Sequence, residues 1–535
     1  MLQHVRELDN LDDRAANPEA TVQAANPEAT AQAANPELDP EANAQTANPE
    51  VDHQEKVVVK RARSGAESQI PNKENFLSSF KFPKRARPCS LALFLRCFGR
   101  VPETSFSAPN FPNLGMPKVY VTGIGFVTSI GNECATVENS LRRLECGIGL
   151  HPELQDDTSP VKVGGIIKDF DVASLDPEDW IYPERYHVRR DVIRSFSPHV
   201  LYGYCAMKQA IENANLLDED ISNPDCGLYT ASGGSMRNMH KHFEKMDQRG
   251  IMACNPLAIV ASVAGTLTFN LGAIFGIRGF SAGMVSACAS SGHSLGFACD
   301  EVRRGRQKRM LVVGGEDCNF ESIAPFAGMR ALSLDRDPAT ASRPFDETRN
   351  GFVGSGGATC LVLESEEEVA RRGVNPWTEM IGWGQASDGY NVAISHPEGR
   401  GMRDAMTHAL RDADLKPEEV DYVNAHAPST QIGDASELKA LKAVFPEPQR
   451  VKVSSTKALT GHGLSLSSIM EAGFCCLALK KGFLPGSANI RELAPEVGHI
   501  DVIRETEETQ AEVILSNSSG FGGANVSVAF RKCAG

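Results

Sequence analysis

The sequence has no Cys-x-x-Cys pair among its 14 cysteines, and no even ladder of closely spaced ones. That excludes a disulfide-stapled secreted scaffold and a zinc ribbon, and leads us to expect a reducing compartment, the cytoplasm. Long apolar runs are also missing. The longest uncharged one near the chain start, Cys89 to Leu95, is far too short to cross a bilayer, and no basic stretch followed by an apolar one precedes it. Positive charge is in deficit, 54 Lys and Arg against 68 Asp and Glu for a net charge of −14, so neither nucleic acid nor membrane is expected as a partner. The run Gly520-Phe-Gly-Gly523 lacks the Gly-x-Gly-x-x-Gly and Gly-Lys-Ser spacings and leads into a strand-like segment, which argues against a nucleotide. His240 and His242 have no acidic or cysteine company, so no metal is expected, and no cofactor.

What is there begins with a biased segment. Ala-Asn-Pro-Glu units start at Ala16, Ala25, Ala34 and Ala47, a composition that cannot bury enough apolar surface to offset chain entropy and is expected to be disordered. From Lys56 to Gly115 the balance turns basic, with Lys60-Arg61-Ala62-Arg63 and Lys84-Arg85-Ala86-Arg87; a solvated linker is favoured over a binding site for nucleic acid or an acidic carrier protein. Met116-Pro117-Lys118 directly precedes a strand-like run, so translation is alternatively expected to start at Met116. Residues 1–115 are therefore read as an extension, and 116–370 and 371–535 as two halves of the folded body.

From Val119 onward, short β-branched runs alternate with amphipathic helical segments, an α/β pattern. Strands are predicted at Val119 to Thr122, Gly227 to Thr230, Arg309 to Val313, Ala358 to Leu363, Thr378 to Ile381, Glu512 to Leu515 and Val526 to Phe530. Helices are predicted at Tyr202 to Ala214, Gly292 to Arg304, Met402 to Ala413, Ser436 to Val444 and Ser467 to Lys480. The body reads as built twice. Val119-Tyr-Val-Thr-Gly-Ile-Gly opens one half and Glu379-Met-Ile-Gly-Trp-Gly the other, and the stretches after Cys288 and after His462 both run from small residues into a helix.

The chemistry centres on Val285-Ser-Ala-Cys288-Ala-Ser-Ser-Gly-His293. Small residues flank the thiol and a helix begins just after it, so the helix dipole is expected to stabilise a thiolate and lower its pKa from about 8.5. A lone Cys in small company is more often a buried core residue. Three further segments change that balance: Tyr422-Val-Asn-Ala-His426-Ala-Pro-Ser-Thr430 with Asp434 and Glu437 downstream, Ser454-Ser-Thr-Lys457-Ala-Leu-Thr-Gly-His462-Gly, and Asn517-Ser-Ser-Gly-Phe521-Gly-Gly-Ala-Asn525. With these, and with Ser342-Arg-Pro-Phe-Asp346, the chain resembles the β-ketoacyl carrier-protein synthases of the elongating class, closest to the bacterial type I and II fatty-acid enzymes, from Met116 to Lys532.

The resemblance implies a thiolase fold, two similar halves in a five-layered α-β-α-β-α core, usually as a homodimer. It implies that Cys288 accepts an acyl group from the phosphopantetheine of an acyl-carrier protein, and that malonyl-carrier protein then loses carbon dioxide and attacks the thioester as an enolate. His426 and His462 would hydrogen-bond the malonyl thioester oxygen. Lys457 would support the site electrostatically with Glu437 as partner, Thr430 and Asp434 would be supporting or substrate-binding residues, and the N–H groups of Cys288 and Phe521 would form an oxyanion hole, where one donor is worth about a hundred- to thousandfold in rate. The acyl tunnel is expected along Asn255 to Gly276.

Two departures stand out. The family's His-Gly-Thr-Ser-Thr is His426-Ala-Pro-Ser-Thr430 here, and Pro428 both removes a donor and biases Ala427 toward extended backbone. Ser519 stands where Phe is common. The alternative reading is a non-catalytic, chain-length-factor-like partner, a class that lacks the nucleophilic cysteine; a degradative thiolase would need a second cysteine in a motif that Cys533 does not have.

Overall fold

The computed structural model describes residues 117–448 and 451–533. The repeat segment, the basic segment and the alternative start at Met116 lie outside the described residues. A five-stranded and a six-stranded arrangement carry the fold. The first is β1 (Val119–Val127), β2 (Cys226–Ala231), β3 (Ser281–Met284), β4 (Arg309–Glu316) and β5 (Gly357–Ser365), with helices α1 (Pro198–Asn213) and α2 (Ser290–Arg303) inserted. The second is β6 (Thr378–Ser387), β7 (Tyr422–Asn424), β8 (Lys452–Ser454), the short edge β9 (Asp501–Val502), β10 (Val513–Gly520) and β11 (Ala524–Lys532), with helices α3 (Arg400–Asp412), α4 (Gln431–Val444) and α5 (Ser467–Lys481).

The sheet runs β9-β8-β7-β10-β11-β6-β1-β5-β4-β2-β3. Within the first half the spatial order is third, second, fourth, fifth, first; leaving aside β9, the second half repeats it. The directions repeat as well: β2 is parallel to β3 and β4, and β5 antiparallel to β4 and β1, just as β7 is parallel to β8 and β10, and β11 antiparallel to β10 and β6. The halves join where β1 meets β6 at Tyr120 with Glu379 and Val121 with Thr378.

Three apolar clusters separate five layers. The central cluster sandwiches α2 (Leu295, Cys299) and α5 (Ile469, Phe474) between strands of both halves, including Val121 and Val528. The second packs α1 on the outer face of the first half, and the third packs α3 and α4 on the outer face of the second. A strand covered on both faces needs continuous apolar sequence, and β4 and β5 are buried along almost their whole length.

The repeated Gly-x-Gly has a packing cause. A Cβ on Gly125 of β1 would stand 1.9 Å from the Ala206 carbonyl oxygen of α1, and one on Gly384 of β6 would stand 2.3 Å from the Ala405 carbonyl oxygen of α3. Each outer helix lies directly on its strand, and only a residue without a side chain admits it. The predicted strands and helices all form, several of them longer than their apolar runs: β1 extends to Val127 and α4 begins at Gln431. The short strands β3, β7 and β8 are additional to the predicted set. They are three or four residues each, too short for a local period to mark them; pairing with their neighbours makes them strands.

Candidate active site

The two central helices meet at their N-termini, and the chemistry-bearing residues precede them. Between β3 and α2 the chain turns sharply, with Ala287 in the left-handed region at φ 51°, a conformation that costs an alanine about 1 kcal/mol or more. The turn is held by the Ser286 N–H, which donates to Ser290 Oγ at 2.8 Å. Cys288 follows, almost fully buried. Before α5, His462 sits on a turn whose backbone bonds Val353 and Ser355. Ser468 Oγ donates to the Cys288 carbonyl at 3.0 Å and the Ile469 N–H to Ser291 Oγ at 3.1 Å, which ties the two helix starts together.

The resulting geometry is compact. His462 Nε2 lies 3.1 Å from Cys288 Sγ, and the rings of His426 and His462 stand edge to face with centroids 5.2 Å apart. All three face a cavity of about 630 Å³, whose walls include Pro428, Ser519, Phe521 and Phe326. Phe521 is one of the partly exposed apolar side chains. A Cβ on Gly520 would lie 2.6 Å from the Ser286 carbonyl oxygen and 3.1 Å from the Cys288 nitrogen, so glycine there lets the end of β10 run against the cysteine turn. This sets the Phe521 backbone beside that of Cys288. Phe326, Met329 and Ile432 line this cavity, and no residue of the segment Asn255 to Gly276 does.

Burial dominates the electrostatics. The Cys288 thiol is pushed up to about 12 by desolvation, with Lys457 pulling it down and Glu316 adding to the rise. The expected lowering is not found: removal of the thiol from water beside a buried carboxyl raises its pKa instead. His426 and His462 are both held well below the ordinary imidazole value, first by burial and then by the Lys457 charge. Thiol and imidazoles are thus neutral at rest, and the hydrogen bond between Sγ and Nε2 is one between neutral groups.

The supporting residues are distributed differently from the expectation. Lys457, fully buried, pairs with Glu471 of α5, not with Glu437. The Glu437 carboxylate is already occupied: it accepts the N–H groups of His426 at 3.0 Å and Ala427 at 2.7 Å, and the Asn517 amide at 3.2 Å. Glu437 therefore anchors the backbone of the His426 loop. Asp434 does the same one turn earlier, accepting from Ser429 and Thr430, both at 3.1 Å, and from Phe345 at 3.0 Å, with Arg349 at 3.4 Å. Thr430 caps α4 through Gly433 at 3.2 Å and borders the cavity.

Sequence reasoning passed over Glu471, Ser467 and Glu316. A charged residue in the otherwise apolar run Ile469-Met-Glu-Ala-Gly-Phe is a signal that Glu471 has a buried partner. Ser467, whose Oγ lies 2.8 Å from His462 Nδ1, gave no such signal.

A thiol and two imidazoles around one cavity, at the meeting point of a duplicated fold, suit an acyl-transferring enzyme. Comparison with known proteins agrees. The family model described as Beta-ketoacyl synthase, N-terminal domain, matches residues 116–369, and that of the C-terminal domain matches 377–491. The 3-oxoacyl-[acyl-carrier-protein] synthase 1 of Escherichia coli strain K12 is 34% identical over 78% of this chain and 99% of its own length, and that of Haemophilus influenzae 33% identical over the same shares. A solved β-ketoacyl synthase from Burkholderia phymatum superposes with a TM-score of 0.72 at 30% identity, covering 78% of this chain and all of its own. The chain belongs to the β-ketoacyl synthase family. It is a condensing enzyme of the acyltransferase class with the thiolase fold, and the chain-length-factor alternative is not favoured.

Proposed function

We propose that this enzyme joins an acyl group held on Cys288 to a malonyl group delivered by acyl-carrier protein, giving a 3-oxoacyl-carrier protein and carbon dioxide in fatty-acid-type elongation. The observation that carries the residue assignments is His462 Nε2 at 3.1 Å from Cys288 Sγ, with the His426 ring facing the same space.

In acyl transfer, a bond forms between Sγ and the carrier-bound acyl carbon while the bond to the pantetheine sulfur breaks. The thiol proton leaves to His462 Nε2 and ends on the departing pantetheine thiol. The developing oxyanion is met by the N–H groups of Cys288 and Phe521. In condensation, the bond between the malonyl carboxylate and its methylene breaks, and the electron pair moves onto the thioester oxygen, where N–H groups of His426 and His462 hydrogen-bond it. The enolate carbon attacks the acyl carbon, Sγ leaves, and one solvent proton restores the thiol.

Neutral rings suit this chemistry, since each keeps an N–H to donate and no charge that would trap the malonyl carboxylate as an ion pair. Lys457 supplies the positive field from behind, held by Glu471. Thr430, Asp434 and Glu437 hold the loop that aims His426. Pro428 and Ser519 on the cavity wall are the positions at which handling of the pantetheine arm and the acyl chain is tuned away from the common family pattern.

We read the working form as a cytoplasmic homodimer. Strand β3 is an outer strand of the sheet, and Phe280 and Val285 flanking it and Phe269 on the helix packed against it are exposed, an apolar edge of the kind a second copy covers. Among the described residues no helix is long and apolar enough to cross a membrane.

Intact-mass analysis after mixing with acyl-carrier protein tests the assignment. Wild type gains the acyl mass and Cys288→Ala does not; an equal gain by the variant would refute the role of Cys288.

A further inference from the structure

Three serines crowd the start of α5, all buried: Ser465, Ser467 and Ser468. Two of them face oxygen partners. Ser465 Oγ donates to the Glu316 carboxyl at the end of β4, and Ser468 Oγ donates to the Cys288 carbonyl. Ser467 differs, because its Oγ meets His462 Nδ1 at 2.8 Å, a ring nitrogen that either carries a proton or presents a lone pair. A carbonyl or carboxylate in that place would fix the proton on Nδ1, and a backbone N–H would fix it on Nε2. A hydroxyl rotates and serves both.

We infer that Ser467 is a positioning residue that lets His462 hold its ring proton on either nitrogen, so that one imidazole accepts the thiol proton in acyl transfer and donates an N–H in condensation. This rests on the proposed condensation. In the first tautomer, Nδ1–H donates to Ser467 Oγ and the Nε2 lone pair faces Sγ. That nitrogen takes the thiol proton as the sulfur forms its new bond, and returns it to the departing pantetheine thiol. In the second tautomer the Ser467 hydroxyl donates to Nδ1, and Nε2–H points at the malonyl thioester oxygen. The two forms interconvert by proton exchange with solvent, with no other reactant.

The expectation for Ser467→Ala follows from which loss is cheaper. A buried N–H without a partner costs more than a buried lone pair without one, so the variant settles in the Nε2–H form. Acylation of Cys288 in a single turnover, followed by intact mass, is expected to slow about tenfold or more, the consequence of losing one buried hydrogen bond. Carbon dioxide release from malonyl-carrier protein by pre-acylated enzyme should stay within about threefold of wild type, and Ser467→Thr, which keeps the hydroxyl, should recover most of the acylation rate. Equal slowing of both half-reactions, or of neither, overturns the inference.

A measurement on the wild type is independent of variant folding. With ¹⁵N-labelled histidine, and the His462 signals assigned by their loss in His462→Asn, both ring nitrogens should lie between the shifts of the protonated and unprotonated forms. One fixed tautomer overturns the inference. Wild type that is never acylated would instead remove the proposed function itself.

Discussion

At the residue scale, the pairing of Cys288 with His462 replaces one account of nucleophile activation by another. A thiolate waiting at a helix N-terminus would need a depressed pKa, but the sulfur is desolvated and pushed up to about 12. In the proposed mechanism the proton therefore leaves during attack, to a ring whose pKa is held down by burial and Lys457. This has a consequence for pH dependence. Iodoacetamide inactivation at Cys288 should keep rising through about pH 9.5 without the plateau an ordinary thiol shows above about 8.5, since the thiolate fraction is still growing. Acylation by carrier-bound substrate should show no inflection near the ordinary imidazole value of about 6.5, because both histidines sit well below it. Rates of inactivation and acylation between about pH 5.5 and 9.5 check both, and a plateau below about pH 8 would restore the thiolate.

At the scale of elements, the strand-to-helix contacts that make each half are set by glycine. Gly125 under α1 and Gly384 under α3 are equivalent positions in the duplicated order, and each admits a helix backbone where a Cβ would collide. Gly125→Ala and Gly384→Ala are expected to destabilise by about 1–3 kcal/mol each, the usual cost of overpacking, read as a lower midpoint in chemical denaturation. The carbonyl oxygens they would strike belong to helix backbone that cannot swing aside as a side chain could. An exposed control, Gly305→Ala, has no atom within 4 Å of its added Cβ; its cost is confined to its φ of 65° and should be the smaller. Equal effects at all three positions would detach the Gly-x-Gly pattern from helix packing.

At the scale of the whole molecule, the edge at β3 is where the proposed homodimer can be tested. Light scattering after size exclusion should give twice the mass of one chain. Replacing the exposed Phe280 and Val285 with lysine should shift the protein toward one copy and lower condensation with it, since β3 leads directly into the Cys288 turn. A wild-type protein of single mass would set the dimer aside while leaving the site in one chain intact.

The sequence by itself carried the α/β class, most of the strands and helices, and the motifs of Cys288, His426 and His462 that the structure brings to one cavity, because periodicity and motif are local properties. It did not carry β3, β7 or β8, whose three or four residues are too few to show a period and become strands only through pairing with their neighbours. Nor did it carry the ion pair of Lys457, since Glu437 and Glu471 are both reasonable partners along the chain and only the packing of α5 brings one of them to the ammonium. The protonation states were decided by tertiary structure for the same reason: burial is set by everything that surrounds a group, and here it pushes the thiol up where the local sequence led us to expect a lowering.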